Sequence, residues 1–117
     1  MNLEKVRGYC LKKNGVTESL PFDNDTPVYK VAGKMFCLAN LIPPVSINLK
    51  CDPEKAIELR EKYDDVQPGY HMSKTHWNTV FFESNIPEKL IYEWIDDSYN
   101  LVVDKLPKSA KAKLEKK

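Results

Sequence analysis

The sequence predicts an α+β fold, a single-domain α/β sandwich with a largely antiparallel sheet and helices packed on it. Three observations lead there. Apolar residues recur at spacings of three and four near both ends and in the middle of the chain, the period of helices with one buried stripe. Between those segments lie short runs of alternating or β-branched residues, separated by turn-forming Gly, Asn, Asp and Pro. The chain has 117 residues, 42% of them hydrophobic, which is enough for one core without disulfides or metal to staple it.

The elements follow in order. Leu3, Val6 and Cys10 share a helical face, and Asn14-Gly15 stops the helix because Gly accepts the left-handed backbone that helix ends use. Residues 16–22 read as extended, with Pro21 marking an edge or a break. Asp23-Asn24-Asp25 is a turn of residues that bond their own backbone. Residues 28–31 and 35–39 form a hairpin around Ala32-Gly33-Lys34, with Gly33 at positive φ.

After Pro43-Pro44, the residues Val45, Ile47, Leu49 and Cys51 alternate with Ser46, Asn48 and Lys50, a strand with one buried face. Asp52-Pro53-Glu54 starts a helix by supplying a capping oxygen, a proline at the first helical position and an acid against the positive end of the dipole. Ala56, Ile57, Leu59 and Tyr63 give it an apolar stripe, and Asp64-Asp65 ends it. A short extended piece over 67–70, a turn around Ser73 and a strand over 77–82 come next. Pro87 opens the longest helix, whose Leu90, Ile91, Trp94, Ile95, Leu101 and Val102 lie on one broad face. Pro107 ends or kinks it, so the domain spans 1–107, and 108–117 is a lysine-rich tail, frayed or partly helical.

Charge is divided along the chain. From Lys105 onward six lysines face Glu115 alone, a net of +5, while residues 1–104 carry 12 basic and 16 acidic side chains, a net of −4. A basic tail by itself supports only sequence-independent attraction to phosphate. No apolar run approaches the roughly 18 residues that span a bilayer, and the N-terminus lacks the pattern of a secretory signal, so a cytoplasmic protein without a membrane partner is expected. Cys10, Cys37 and Cys51 are widely spaced and odd in number, and read as small buried apolar side chains.

Catalytic constellations are missing. The chain has no G-x-S-x-G, no Walker loop and no G-x-G-x-x-G, and Asp96 and Asp97 diverge by about 100° on a helix. No enzyme activity and no cofactor are expected. His71 and His76 are five residues apart with Lys74 between them, so no three-ligand metal site can be drawn. The segment 68–80 stands out instead. It holds both histidines and Trp77, and contains no carboxylate in a chain with 17 of them. His71, Lys74, Thr75, His76, Trp77 and Asn78 suit phosphates and base edges, although a tryptophan opening a strand is more often core than an exposed stacking platform.

The run Gly69-Tyr70-His71-Met72-Ser73-Lys74-Thr75-His76-Trp77-Asn78-Thr79-Val80 resembles the signature of the MmcQ/YjbR-like family. Other blocks agree in order: Tyr9-Cys10-Leu11 with Gly15-Val16-Thr17-Glu18, Val31-Ala32-Gly33-Lys34-Met35-Phe36, Asn48-Leu49-Lys50-Cys51-Asp52-Pro53, and Ser98-Tyr99 with Leu101-Val102-Val103. The resemblance implies a CyaY-like fold in a bacterial DNA-binding protein that lays two β-hairpin wings on the duplex. By position, the wings are the hairpin around Ala32-Gly33-Lys34 and the turn from His71 to His76. Lys34, Lys50, His71, Lys74, His76 and Asn78 are the expected contacts. The expected partner is double-stranded DNA, bound weakly or non-specifically by a monomer. The alternative is a protein- or small-ligand-binding module in which Tyr70, His71, His76 and Trp77 line a cleft beside the sheet.

Overall fold

A computed structural model describes residues 1–69, 72–83 and 86–115, so Tyr70 and His71 lie outside the described residues. Ten elements run in the order α1 (Leu3–Leu11), β1 (Val16–Ser19), β2 (Val28–Val31), β3 (Lys34–Asn40), β4 (Ser46–Lys50), α2 (Pro53–Lys62), β5 (Val66–Pro68), β6 (Trp77–Phe81), α3 (Glu88–Asp104) and α4 (Lys108–Glu115). The six strands form one antiparallel sheet in the order β1-β2-β3-β4-β6-β5. The α+β sandwich expected from the sequence is the fold observed.

Local chemistry explains the helix starts. Asn2 accepts from the Lys5 amide at 2.8 Å and Asp52 accepts from the Lys55 amide at 3.3 Å, each satisfying a donor that the first helical turn leaves free. On α2, Ala56 is buried and Leu59 and Tyr63 are half-buried at spacings of three and four, but Ile57 is 53% exposed. It sits about 100° around the helix from Ala56, which carries it off the packed side.

One sheet face carries Tyr29, Val31, Cys37, Ala39, Ile47, Leu49, Val66 and Val80 into the main core, against Val6 and Cys10 of α1 and Ile91, Trp94, Ile95 and Val102 of α3. Fully burying an aliphatic side chain of this size contributes about 1.5–3 kcal/mol, so this layer dominates stability. The three cysteines are buried and free, as expected of small apolar side chains. The opposite face has a smaller cluster of Val28, Leu38 and Trp77, joined by Met35 and Met72.

Two features depart from simple alternation. In β2–β3, Tyr29 pairs with Cys37 and Lys30 with Met35, leaving Phe36 as an extra residue that is fully buried. The bulge disturbs the β3–β4 ladder, and Ser98 of α3 repairs it. Its hydroxyl donates to the Phe36 carbonyl (2.5 Å) and accepts from the Lys50 amide (2.9 Å). In β4, the residue before the strand, Val45, is only half-buried, whereas Ser46, expected on the solvent side, is 3% exposed. Phe22, Thr26 and Pro44 of the flanking connections stand beside Ser46 around a cavity on the second sheet face.

Beyond Pro107 the chain is helical through α4, and Leu114 packs on the main core. Gly15, at φ 73°, lies directly beneath that leucine, and a Cβ there would collide with it. The β2–β3 connection has two residues, Ala32 (φ 50°) and Gly33 (φ 78°), the pair of positive φ angles of the tight hairpin turn whose twist matches the strands.

Candidate nucleic-acid interface

An antiparallel sheet sends successive connections to alternate ends. The lower end, defined by the Ala32-Gly33 turn, also receives residues 12–15, 51–52, 69, 72–76 and 105–107. The upper end receives 20–27, 41–45, 63–65, 82–83 and 86–87. Charges follow this alternation. Among the described residues, the upper connections carry Asp23, Asp25, Asp64, Asp65 and Glu83 and no base, while the lower ones carry Lys12, Lys13, Lys74 and Lys105 against the single acid Asp52. The connections are therefore polarised along the strands although the net charge of the chain is only +1, with Lys13 already paired to Asp96, and Asp104 closing α3 at the lower end.

The two expected wings meet at the lower end. Lys34 opens β3 beside its turn and is exposed; Lys74 and His76 are exposed in the 69–76 connection. Strands β3 and β6 are separated only by β4, which places the wings about 10 Å apart. Lys50 ends β4 between them and is half-buried. Burial, and secondarily the charge of Lys105, push its ammonium below the ordinary lysine value, so two cations are held near each other there. The α4 helix extends this surface: Lys113, Ser109 and Ala110 share a shallow cavity with Gly15 and Ala32, beside the first wing.

The second wing is braced. Ser73 O accepts from the amides of His76 (3.2 Å) and Trp77 (2.9 Å), and the His76 carbonyl accepts from the Cys51 amide at 2.7 Å. Gly69 donates to the Trp77 carbonyl at 2.9 Å, and a Cβ on Gly69 would stand 2.8 Å from that of Trp77. Arg60 of α2 reaches across to the carbonyls of Lys74 and Trp77 and to Asn78.

Not every expected contact reaches the surface. Asn78 is 2% exposed; its Oδ1 accepts from Arg60 Nε at 2.7 Å and its Nδ2 donates to the Ala56 carbonyl at 3.3 Å. It is a strand residue facing α2, and its amide is consumed in bracing the helix, so it is removed from the candidate interface. His71 lies outside the described residues. Lys34, Lys50, Lys74 and His76 are brought to one end. Trp77 is 8% exposed and packs with Val28 and Leu38, consistent with a core tryptophan. Of the cleft imagined around Tyr70, His71, His76 and Trp77, the described members do not converge: His76 is exposed, whereas Trp77 is buried on the sheet. Sequence reasoning did not single out Lys12 and Lys105 or the bracing Arg60. Lys12 and Lys105 were findable by assigning each connection to alternate sheet ends.

Comparison with known proteins gives concordant results. A family model described as YjbR matches residues 11–101. The chain is 44% identical over 89 residues to the Escherichia coli O157:H7 protein "Uncharacterized protein YbdF", covering 75% of this chain and 73% of that one. It is 32% identical over 108 residues to "Uncharacterized protein YjbR" of Escherichia coli strain K12, covering 92% of each. A crystal structure of the Deinococcus radiodurans protein DR2400, described with the domain DUF419, superposes with a TM-score of 0.91 at 33% identity, covering 97% of this chain and 88% of that chain. A crystal structure from Pseudomonas syringae superposes with a TM-score of 0.77 at 30% identity, covering 86% and 98%.

Proposed function

Since the chain belongs to the YjbR family, we propose that it is a non-catalytic cytoplasmic protein whose lower end binds double-stranded DNA weakly and without strong sequence preference. The observation that carries this reading is the segregation of charge. Lys34, Lys74 and Lys105 share one end of the sheet with the lysines of α4, and the acids of the connections collect at the other. Phosphate contacts need cations gathered on one surface, and an overall net charge near zero is no obstacle when most acids of the connections are held a strand length away. The two wings and α4 then act as one surface, with the domain as a monomer and the lysine-rich segment 108–117 as its extension.

Amide shift mapping with a short duplex tests it. At about 50 mM salt, where counterion release most favours binding, the shifts should centre on residues 32–34, 73–76 and 105–113 and spare 23–25 and 64–65. Two or three contacts from the wings give a log–log salt slope of about −2 to −3, and adding the lysines of α4 steepens it toward about −5. Lys74→Ala should reduce the magnitude of that slope by about 1 and weaken binding equally across sequences. Failure to bind duplex DNA under these low-salt conditions would overturn the reading.

A further inference from the structure

On the second sheet face lies a cavity of about 560 Å³, within the usual size range of small-molecule sites. Its floor is two rows of residues paired across three strands: Leu38, Asn48 and Thr79 in one, Asn40, Ser46 and Phe81 in the other. Phe22, Pro44 and Met72 form its walls, and Asp23 stands at the margin. Phe22 is 63% exposed, a large apolar side chain left in solvent beside an open cavity.

Ser46 is 3% exposed, yet its hydroxyl makes no hydrogen bond to a described residue. No described polar side-chain atom is sealed away without a partner, so this hydroxyl opens into the cavity. Asn48, two residues along β4 and about 7 Å away, accepts from Thr79 Oγ1 at 2.6 Å through its Oδ1. That bond fixes the amide orientation and leaves its N–H donors without a described partner. Asn40, by contrast, spends both ends of its amide on Ile42. The floor thus presents one hydroxyl and one oriented amide donor amid aromatic, thioether and aliphatic walls. Both groups open into the cavity, so a ligand acceptor placed there takes up donors that otherwise face solvent.

Charge narrows the ligand. Among the described residues the cavity lining contains no lysine or arginine, and the ionised side chain among them is the carboxylate of Asp23, in the upper connections. Anions are disfavoured, including phosphorylated ligands. We infer that this cavity binds a small uncharged aromatic ligand bearing a carboxamide or lactam. The carbonyl accepts from Asn48 Nδ2 and the Ser46 hydroxyl, the ring packs among Phe22, Phe81 and Met72, and the amide N–H faces Asp23. The cavity shares Met72 with the second wing but none of the lysines of the lower end, so occupancy is read at Leu38, Ser46 and Asn48 rather than at residues 72–76.

Benzamide and benzoate, alike in shape and differing in charge, are suitable probes in a ¹⁵N shift titration of the whole chain. Benzamide up to about 20 mM should shift the amides of Leu38, Ser46, Asn48 and Thr79 saturably, with benzoate at least about tenfold weaker. Ser46→Ala and Asn48→Leu should each weaken benzamide by about fivefold or more. Ser46→Ala should leave the thermal midpoint unchanged or raised, because it removes a hydroxyl that has no partner in the fold. Phe22→Ala, on an exposed side chain, should weaken benzamide without altering the midpoint. The inference is overturned if benzamide causes no saturable shift on this face, if benzoate binds equally well, or if Ser46→Ala lowers the midpoint while leaving benzamide binding intact.

Discussion

Glu18 shows how much a single side chain can hold together at the end of an edge strand. It accepts from Arg7 Nε at 2.9 Å and from the Tyr29 hydroxyl at 2.8 Å, tying β1 to both α1 and β2. Partial burial pushes its carboxyl up, but the hydrogen bonds from Arg7 and Tyr29 outweigh burial and hold it below the ordinary 4.5. A depressed carboxylate contributes stability that is present above its unfolded value and lost as pH falls through its folded value. Thermal melts should therefore show the midpoint of the native chain falling as pH drops below 4.5, with a shallower fall for Glu18→Gln, which is already less stable at pH 7. A residue-by-residue reading of the sequence could not find this network, because Arg7, Glu18 and Tyr29 lie on three elements whose mutual packing is set by topology. Asn78 was misread for the same reason. Its polarity was legible, but not that its face of β6 turns toward α2 and Arg60 rather than toward solvent.

At the scale of elements, the local signals were strong where chemistry is local. Asp52-Pro53 capped α2, and the alternation through Ile47 and Leu49 placed β4. They were weak where an element depends on a distant neighbour. The segment after Pro107 is composed largely of good helix formers but is only about two turns long, with Leu114 and small residues to bury, so on its own it holds little helix. What sustains α4 is the docking of Leu114 over Gly15, a position where the absent Cβ is what makes room. Leu114→Ala should cost about 1–2 kcal/mol by urea denaturation, less than a fully buried leucine because the side chain is half-exposed. Lys113→Gln on the same helix should stay within about 0.5 kcal/mol. A deletion of α4 would confuse the two roles, because it removes the packing leucine together with the lysines.

Across the whole molecule, each sheet end owes its charge to chain segments far apart in sequence. Composition reported a net of +1, and a division at Lys105 separated a mildly acidic part from a basic one, but neither exposes the axial arrangement. That arrangement follows only from folding the connections alternately to two ends. For the proposed DNA complex, such a distribution of the connection charges would favour encounters through the lower end. The serine of α3 beneath the bulge links the layers in a different way. Because the Lys50 amide is held by Ser98 rather than by a neighbouring strand, its proton is released to solvent by the lifting of α3 from the sheet. In deuterium oxide, exchange at Lys50 should keep time with the amides of α3's packed centre, making this one strand proton a clock for separation of the two layers.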